Sequence, residues 1–157
     1  MRIATWNING IKARLETVKT WLRSASPDIA CFQEIKSIDE GFPSEVFEEL
    51  GYNVAVHGQK GFNGVALLSK LPFDEVVRGL PGDPDDLQAR YMEGVVSVPS
   101  GVVRVVNIYL PNGNPVDSEK YPYKLSWMER LKLRVEELMT YEEPFIVAGD
   151  YNVIPTP

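Results

Sequence analysis

The segment VVRVVNIYL, residues 102–110, constrains the fold more than any other stretch of this sequence. It is apolar at odd and even positions alike, except at Arg104 and Asn107. A strand of this kind is buried on both faces, so it predicts a central strand in a sheet that other elements cover. At 157 residues and 44% hydrophobic content, the chain has the size and composition of one globular domain that can build such a core.

Apolar periodicity and turn residues predict the order β-α-β-α-β-β-β-β-β-α-β along the chain. Helices are expected over residues 11–25, 42–50 and 121–141. The buried stripe of the third helix is expected to consist of Leu125, Met128, Leu131, Val135 and Leu138. Strands that follow one another without a helix predict hairpins, whereas the helices predict crossovers. The mixture indicates an α/β fold, in which a mixed sheet carries flanking helices.

Composition narrows the class of protein. The single cysteine, Cys31, excludes an internal disulfide and is typical of a reducing compartment. No apolar run is long enough to cross a bilayer or to act as a signal peptide, so we expect a cytoplasmic protein without a membrane partner. The net charge of −6 has the wrong sign for binding nucleic acid with the whole surface, but it does not exclude a local basic groove.

Polar residues stand at the ends of several apolar strands. They are Asn7, Gln33, Glu34, Asn107, Tyr109, Asp150 and Asn152. A carboxylate at such a position costs free energy unless it is paired or binds a cation. Carboxylates and amides without a histidine or cysteine cluster suit a hard cation such as Mg²⁺, whose natural substrate partner is a phosphate.

A structural interpretation of the same residues is equally well supported by the pattern alone. Asn7 precedes an ordinary Asn-Gly turn, Asp150 is placed to cap a following segment, and Glu34 beside Lys36 is typical of a solvated strand end. The sequence contains no G-x-S-x-G nucleophile elbow, no G-x-G-x-x-G and no P-loop. Serine-nucleophile chemistry and nucleotide binding through a glycine-rich loop therefore have no motif to support them.

Four segments together resemble the bacterial exonuclease III family of Mg²⁺-dependent abasic-site endonucleases, within the endonuclease/exonuclease/phosphatase superfamily. They are WNINGIKAR (6–14), CFQEIK (31–36), GYNVAVHGQKGFNGVALLSK (51–70) and GDYNVIPT (149–156). N-I-N-G and Q-E are shared across the superfamily, whereas H-G-Q-K-G-x-x-G-V-A-L-L favours the exonuclease III branch. The resemblance implies a DNase I-like, four-layered α/β sandwich.

The resemblance also implies roles for five residues at the polar strand ends. Glu34 would be the carboxylate ligand of Mg²⁺ or Mn²⁺, with Asn7 beside it ordering the waters of the metal. Asp150 would orient or deprotonate the attacking water, and Asn152 would hold that water or the scissile phosphate. Tyr109 would reach the phosphate or the nucleophile.

Arg90, Lys120 and Lys124 would contact the DNA backbone. The implied activity is hydrolysis 5′ to abasic sites in double-stranded DNA, with 3′→5′ exonuclease activity at 3′ ends. Two alternatives remain open. One is a phosphatase or phosphodiesterase of the same superfamily that acts on a small or lipid phosphate. The other is a non-catalytic remnant or binding module.

The chain departs from the family pattern in one respect. Family members continue through a second half that carries a late S-D-H motif, and His57, the only histidine here, lies in HGQKG instead. Residues 1–157 are therefore expected to form a single partial domain, the N-terminal half of the sandwich, with the C-terminal half absent. We expect weak activity, and an exposed apolar sheet face that leads to self-association or to binding of a complementary fragment.

Overall fold

The computed structural model describes residues 1–156 and contains two mixed sheets of four strands each. The first sheet has the order β1-β2-β4-β3. Its strands are β1 (Ile3–Asn7), β2 (Ile29–Gln33), β3 (Asn53–His57) and β4 (Val65–Ser69). The second sheet has the order β5-β6-β7-β8. Its strands are β5 (Phe73–Arg78), β6 (Tyr91–Val98), β7 (Gly101–Tyr109) and β8 (Phe145–Asp150).

Three helices and the two sheets form four layers. The helices are α1 (Ile11–Ala25), α2 (Ser44–Glu49) and α3 (Lys120–Met139), and a short 3₁₀ helix spans Asp39–Gly41. Helices α1 and α2 cover one face of the first sheet through a core that includes Leu22 and Phe32. The two sheets pack against each other, and α3 covers the outer face of the second sheet through Trp127. The predicted α/β sandwich is confirmed, and no helix within residues 1–156 is long and apolar enough to cross a membrane.

The segment with two apolar faces is indeed a central strand. Strand β7 lies between β6, with which it is antiparallel, and β8, with which it is parallel. Side chains from its middle and end alternate between the core that joins the sheets, which holds Val105, and the core beneath α3, which holds Val106 and Ile108. Its two apolar faces are thus explained by burial in two different cores.

The predicted buried stripe of α3 is wrong in part. Leu138 is buried and Leu131 is half-buried, but Leu125 and Met128 are exposed, and Trp127 is the large side chain that the helix buries. The inner face also carries Arg130 and Arg134, which pair with the acids Asp86 and Glu93. Charged residues with buried partners therefore occupy helix positions that a hydrophobic pattern assigns to solvent.

The expected exposed sheet face is replaced by a narrower opening. Both faces of both sheets meet another layer, because the sheets pack against each other and helices cover their outer faces. One apolar surface that remains open is the seam between the edge strands β1 and β8, where Ile146 is 44% exposed. A cavity of about 600 Å³ lies in this seam beside Ile3, Leu71 and Ile146.

Candidate active site

The candidate site lies at the rim where both parallel strand pairs end. Strands β1 and β2 run parallel in the first sheet, and β7 and β8 run parallel in the second. Asn7 ends β1, Glu34 follows β2, Tyr109 ends β7 and Asp150 ends β8. Because the sheets pack face to face, these four polar strand ends converge, as the carboxyl ends of strands do in other α/β proteins.

The side-chain amide of Asn7 joins the two carboxylates. Its Nδ2 donates a hydrogen bond of 2.9 Å to Glu34 Oε1 and another of 2.9 Å to Asp150 Oδ2. Its Oδ1 accepts a hydrogen bond of 3.1 Å from the backbone N–H of Asn9. One amide therefore fixes an acid from each sheet, and one oxygen of each carboxylate faces away from the amide.

Tyr109 and Arg90 stand beside these acids. Burial raises the pKa of Tyr109 to about 12, and the neighbouring Glu34 carboxylate adds to the shift. The phenol therefore keeps its proton at neutral pH and can donate a hydrogen bond. The guanidinium of Arg90 lies 4.9 Å from the centroid of the Tyr109 ring, and its Nη1 donates to the Tyr109 carbonyl at 3.3 Å. The stacking holds a cation at the rim without pairing it to an acid.

The backbone at the rim adopts unusual conformations. Glu34 and Asn152 have positive φ values of 49° and 46°, which turn the chain sharply after β2 and β8. Gly149 has φ 144°, and a Cβ there would lie 2.0 Å from the carbonyl oxygen of Ile108. Only glycine lets β8 approach β7 this closely just before Asp150.

A pair of buried amides lies beneath the rim. Asn107 is 0% exposed, and its Nδ2 donates to the carbonyls of Phe32 and Ala66 at 2.9 Å each. Its Oδ1 accepts a hydrogen bond of 2.8 Å from Gln33 Nε2, which also donates to Thr5 Oγ1 at 2.9 Å. Asn107 and Gln33 were expected at the rim as polar strand ends. They instead tie the two sheets together and support the segment that carries Glu34.

Asn152 and Lys124 fix the turn after β8. The backbone N–H of Asn152 donates to Asp150 Oδ1 at 3.0 Å, and its Nδ2 donates to the Leu110 carbonyl at 2.8 Å. Lys124 Nζ donates to the Asn152 carbonyl at 2.7 Å. The ammonium group of Lys124 thus holds the protein's own backbone, and its predicted contact with DNA stays a prediction.

Two cavities flank the convergent residues. One, of about 490 Å³, is lined by Asn7, Asp150 and Asn152 together with residues of the turn after β8. The other, of about 290 Å³, is lined by Glu34, Tyr109 and the predicted DNA ligands Arg90 and Lys120. The second cavity also has lining residues to which the sequence analysis assigned no functional role. They include Lys36, Phe62 and Asn63.

The sequence pattern of the endonuclease/exonuclease/phosphatase family matches residues 4–157. This chain belongs to that family. It is also 37% identical over 157 residues to exodeoxyribonuclease III of Haemophilus influenzae, a match that covers 99% of this chain and 59% of that protein. The resemblance to exonuclease III is confirmed, and the chain spans 59% of the length of this curated relative.

Solved structures also resemble this chain over nearly its whole length. A 3′ phosphatase from Neisseria bound to a product DNA hairpin superimposes with a TM-score of 0.93 at 37% identity, over 99% of this chain and 59% of that one. An AP endonuclease from Archaeoglobus fulgidus gives a TM-score of 0.91 at 39% identity, over 100% of this chain and 59% of that one. The predicted DNase I-like architecture is thereby confirmed.

Enzymes of the endonuclease/exonuclease/phosphatase family are generally dependent on a divalent metal, and the residues at the rim fit such an ion. Within residues 1–156 no three His, Cys, Asp or Glu side chains cluster as a metal site. Glu34 and Asp150 offer hard oxygen donors, and Lys36 Nζ, 3.9 Å from Glu34 Oε2, is the nearby cation. One or two carboxylates with retained waters is the coordination that Mg²⁺ prefers.

Proposed function

We propose that this chain belongs to a DNA repair nuclease of the exonuclease III type. The substrate is double-stranded DNA, cleaved 5′ to abasic sites and shortened from 3′ ends, and the cofactor is Mg²⁺ or Mn²⁺. The observation that carries the proposal is the amide of Asn7, which donates to carboxylates from both sheets at 2.9 Å. The names of the relatives, exodeoxyribonuclease III and AP endonuclease, support DNA as the substrate.

Each residue at the rim has a chemical task in this proposal. Glu34 and Asn7 hold the metal and its waters, and the bound cation supplies a Lewis acid for the phosphate oxygens. Asp150 accepts the proton of the attacking water, and the Asn7 amide keeps its carboxylate oriented. Tyr109, protonated because its pKa is raised to about 12, donates a hydrogen bond to a phosphate oxygen.

The residues around the second cavity bind the DNA backbone in this proposal. Arg90 and Lys120, which line this cavity, neutralise phosphates together with Lys124, which lies on α3. Asn152 holds the attacking water or the scissile phosphate. A local cluster of cations explains how a protein with a net charge of −6 engages DNA.

We propose further that the 157-residue chain is only weakly active by itself and that its natural location is cytoplasmic. It spans 59% of the Haemophilus exodeoxyribonuclease III and of the Neisseria 3′ phosphatase, and removing members of a catalytic set lowers rates by orders of magnitude. The open seam between β1 and β8 offers unpaired strand edges and apolar side chains. Such a seam favours self-association or binding of a complementary fragment.

A second candidate activity is removal of a phosphate from a DNA 3′ end. It is favoured by the Neisseria 3′ phosphatase, which shares 37% identity and a TM-score of 0.93 with this chain. The same metal and the same attacking water serve both reactions, because each breaks a phosphate ester. The residues at the rim therefore favour neither reaction over the other. A comparison of an abasic duplex with a 3′-phosphorylated end as substrates distinguishes the two reactions.

Metal binding tests the site itself. Titration of the chain with Mn²⁺, followed by calorimetry, is expected to show one site. Glu34→Gln replaces the charged ligand by a neutral side chain of similar size. It is expected to weaken Mn²⁺ affinity by at least about tenfold. Glu45→Gln, at an exposed acid on α2, is the matched control and is expected to bind Mn²⁺ as the parent chain does. A folded chain without Mn²⁺ affinity would favour the non-catalytic remnant.

Turnover tests the reaction. The chain is incubated with Mg²⁺ and an abasic duplex, a nicked duplex with a 3′ phosphate, or a phosphoinositide. The exonuclease III assignment predicts slow incision of the abasic duplex that Asp150→Asn abolishes. Release of phosphate from the 3′ nick without incision would instead support the phosphatase, and hydrolysis of the phosphoinositide alone would refute DNA as the substrate.

A further inference from the structure

Phe62 is a large aromatic side chain that projects from the surface beside the candidate site. It is 72% exposed, and it borders the 290 Å³ cavity with Glu34, Arg90 and Tyr109. It lies in the segment GQKGFNG, residues 58–64, which joins β3 to β4. Isolated apolar residues on a surface are ordinary, but a phenyl ring that borders the cavity to which the proposed function assigns phosphate binding is placed to contact whatever enters that cavity.

The segment that carries Phe62 is firmly attached to the protein. The backbone N–H of Gly64 donates to the Ala89 carbonyl at 2.8 Å, and the Lys36 N–H donates to the Asn63 carbonyl at 3.0 Å. The side chain of Asn63 donates to Gln59 Oε1 at 3.0 Å. Residues on both sides of the ring are therefore hydrogen-bonded, and Phe62 is presented on an ordered support, which lowers the entropy lost on binding.

Gly64 confirms how closely this support is built against the site. It has φ 88°, and a Cβ there would lie 2.5 Å from a side-chain carbon of Ile35. Ile35 directly follows the candidate metal ligand Glu34, and its N–H donates to the Gly64 carbonyl at 3.2 Å. The position of the ring is thus coupled to the strand end that carries the candidate metal ligand.

Several cations lie near Phe62. Lys36, Arg90 and Lys120 line the same cavity, and Lys60 is exposed two residues before Phe62. In a protein with a net charge of −6, this local concentration of positive side chains attracts an anionic partner. An aromatic ring among cations that track a backbone is the arrangement with which proteins bind nucleic acids, since bases stack on the ring while phosphates meet the charges.

We infer that Phe62 is a stacking wedge that selects DNA with a missing or unpaired base next to the reacting phosphate. The inference rests on the proposed function and deepens it by assigning a specificity residue. An abasic site or a frayed 3′ end leaves a base without its stacking neighbour, and the phenyl ring fills that vacancy. Intact duplex offers no vacancy, so the ring enters only if base pairs unstack first.

Binding experiments without metal test the wedge, because no turnover is needed. The chain is titrated at low salt into fluorescent duplexes, intact or with one abasic site flanked by 2-aminopurine. Phe62→Ala is expected to weaken binding to the abasic duplex about tenfold and to leave binding to intact duplex unchanged. Phe62→Trp is expected to retain tight binding and to change the 2-aminopurine fluorescence as the parent chain does, because indole also stacks.

Leu133→Ala is the matched control. Leu133 is 57% exposed on α3 and lies outside both cavities that flank the site, so its loss is expected to leave binding to both duplexes unchanged. Circular dichroism melts confirm that each variant is folded before it is titrated.

The outcomes separate this inference from the proposed function. If Phe62→Ala still prefers the abasic duplex as strongly as the parent chain, the wedge is refuted and the nuclease assignment stands. Equal loss of affinity for intact and abasic duplexes would also refute it, since the ring would then be a general contact. A parent chain that binds neither duplex would overturn both.

Discussion

Two clusters of acidic residues in this protein differ in how far their hydrogen-bonding capacity is used. Glu93, on β6, is 0% exposed and accepts hydrogen bonds from Arg104 Nη1 at 2.7 Å and from Arg134 Nε at 2.8 Å. The hydroxyl of Tyr91 also donates to it. Glu34 and Asp150, at the rim, share the neutral amide of Asn7 as a donor, and no arginine pairs with either. Asp150 also accepts from the backbone N–H of Asn152, and within residues 1–156 Glu34 has only the distant Lys36, at 3.9 Å, as a cationic neighbour.

The comparison indicates that the number of charged hydrogen-bond donors distinguishes the structural acid Glu93 from the acids that the proposed function assigns to the site. Burial opposes ionisation of Glu93, but hydrogen bonds from Arg134 and Tyr91 outweigh it and hold the pKa of Glu93 below its ordinary value. The charge of Glu93 is therefore compensated within the protein. The acids at the rim are compensated less, because their nearest cation, Lys36, lies 3.9 Å from Glu34, and this is the environment that the proposed metal and proton-transfer roles require.

The largest effect that this comparison predicts concerns Glu93. Glu93→Gln keeps the shape but leaves the guanidinium groups of Arg104 and Arg134 buried without their main counter-ion. We expect the free energy of unfolding to fall by about 3 kcal/mol, because breaking a buried ion pair exposes the cost of the remaining charges. Urea denaturation measures this change.

Glu34→Gln is the control for that measurement, since it makes the same chemical change in the other cluster. It is expected to alter the free energy of unfolding by less than about 1 kcal/mol, because Glu34 is partly exposed and has no arginine partner. Equal destabilisation by the two substitutions would show that the clusters do not differ in saturation.

The second prediction concerns Asn107, whose buried side-chain amide bonds to the other sheet. Asn107→Ala removes the donor for the carbonyls of Phe32 and Ala66 and the acceptor for Gln33 Nε2. We expect a loss of about 2 kcal/mol in the free energy of unfolding, because buried polar groups are left without partners. Asn53→Ala, which removes one hydrogen bond at an exposed strand end, should cost less than about 1 kcal/mol. If Asn107→Ala and Asn53→Ala lower the free energy of unfolding equally, the hydrogen bonds between the sheets stabilise the protein no more than an exposed one does.

Local patterns were sufficient to predict most elements. Helix α1 occupies residues 11–25, as predicted, because apolar periodicity and flanking turn residues act within a few residues. Convergence of Asn7, Glu34 and Asp150 was also foreseeable, since a polar residue that ends an apolar strand marks the rim of a sheet. The resemblance to exonuclease III supplied the roles that the pattern left open.

What the sequence did not reveal depends on contacts between distant segments. Arg134 on α3 faces inward because Glu93, on a strand 41 residues earlier, is there to receive it. Asn107 is buried because the first sheet packs over it and offers two carbonyls. The seam between β1 and β8 depends on how eight strands are divided between two sheets, which no local pattern states.

The smallest expected effect tests whether Tyr109 and Glu34 act together at the rim. The pKa of Tyr109 is raised to about 12 by burial, with a contribution from Glu34. Relative to an unfolded value of about 10, this shift favours the protonated phenol in the folded state. Its stabilisation is therefore complete below pH 10 and is lost as the pH rises towards 12.

Glu34→Gln removes the negative charge and should lower the pKa of Tyr109 by about 1. Phenolate absorbance, measured as the difference from the corresponding Tyr109→Phe chain, reports this titration free of the other tyrosines. An unchanged titration would mean that burial alone sets the pKa and that the phenol and the carboxylate at the rim are independent.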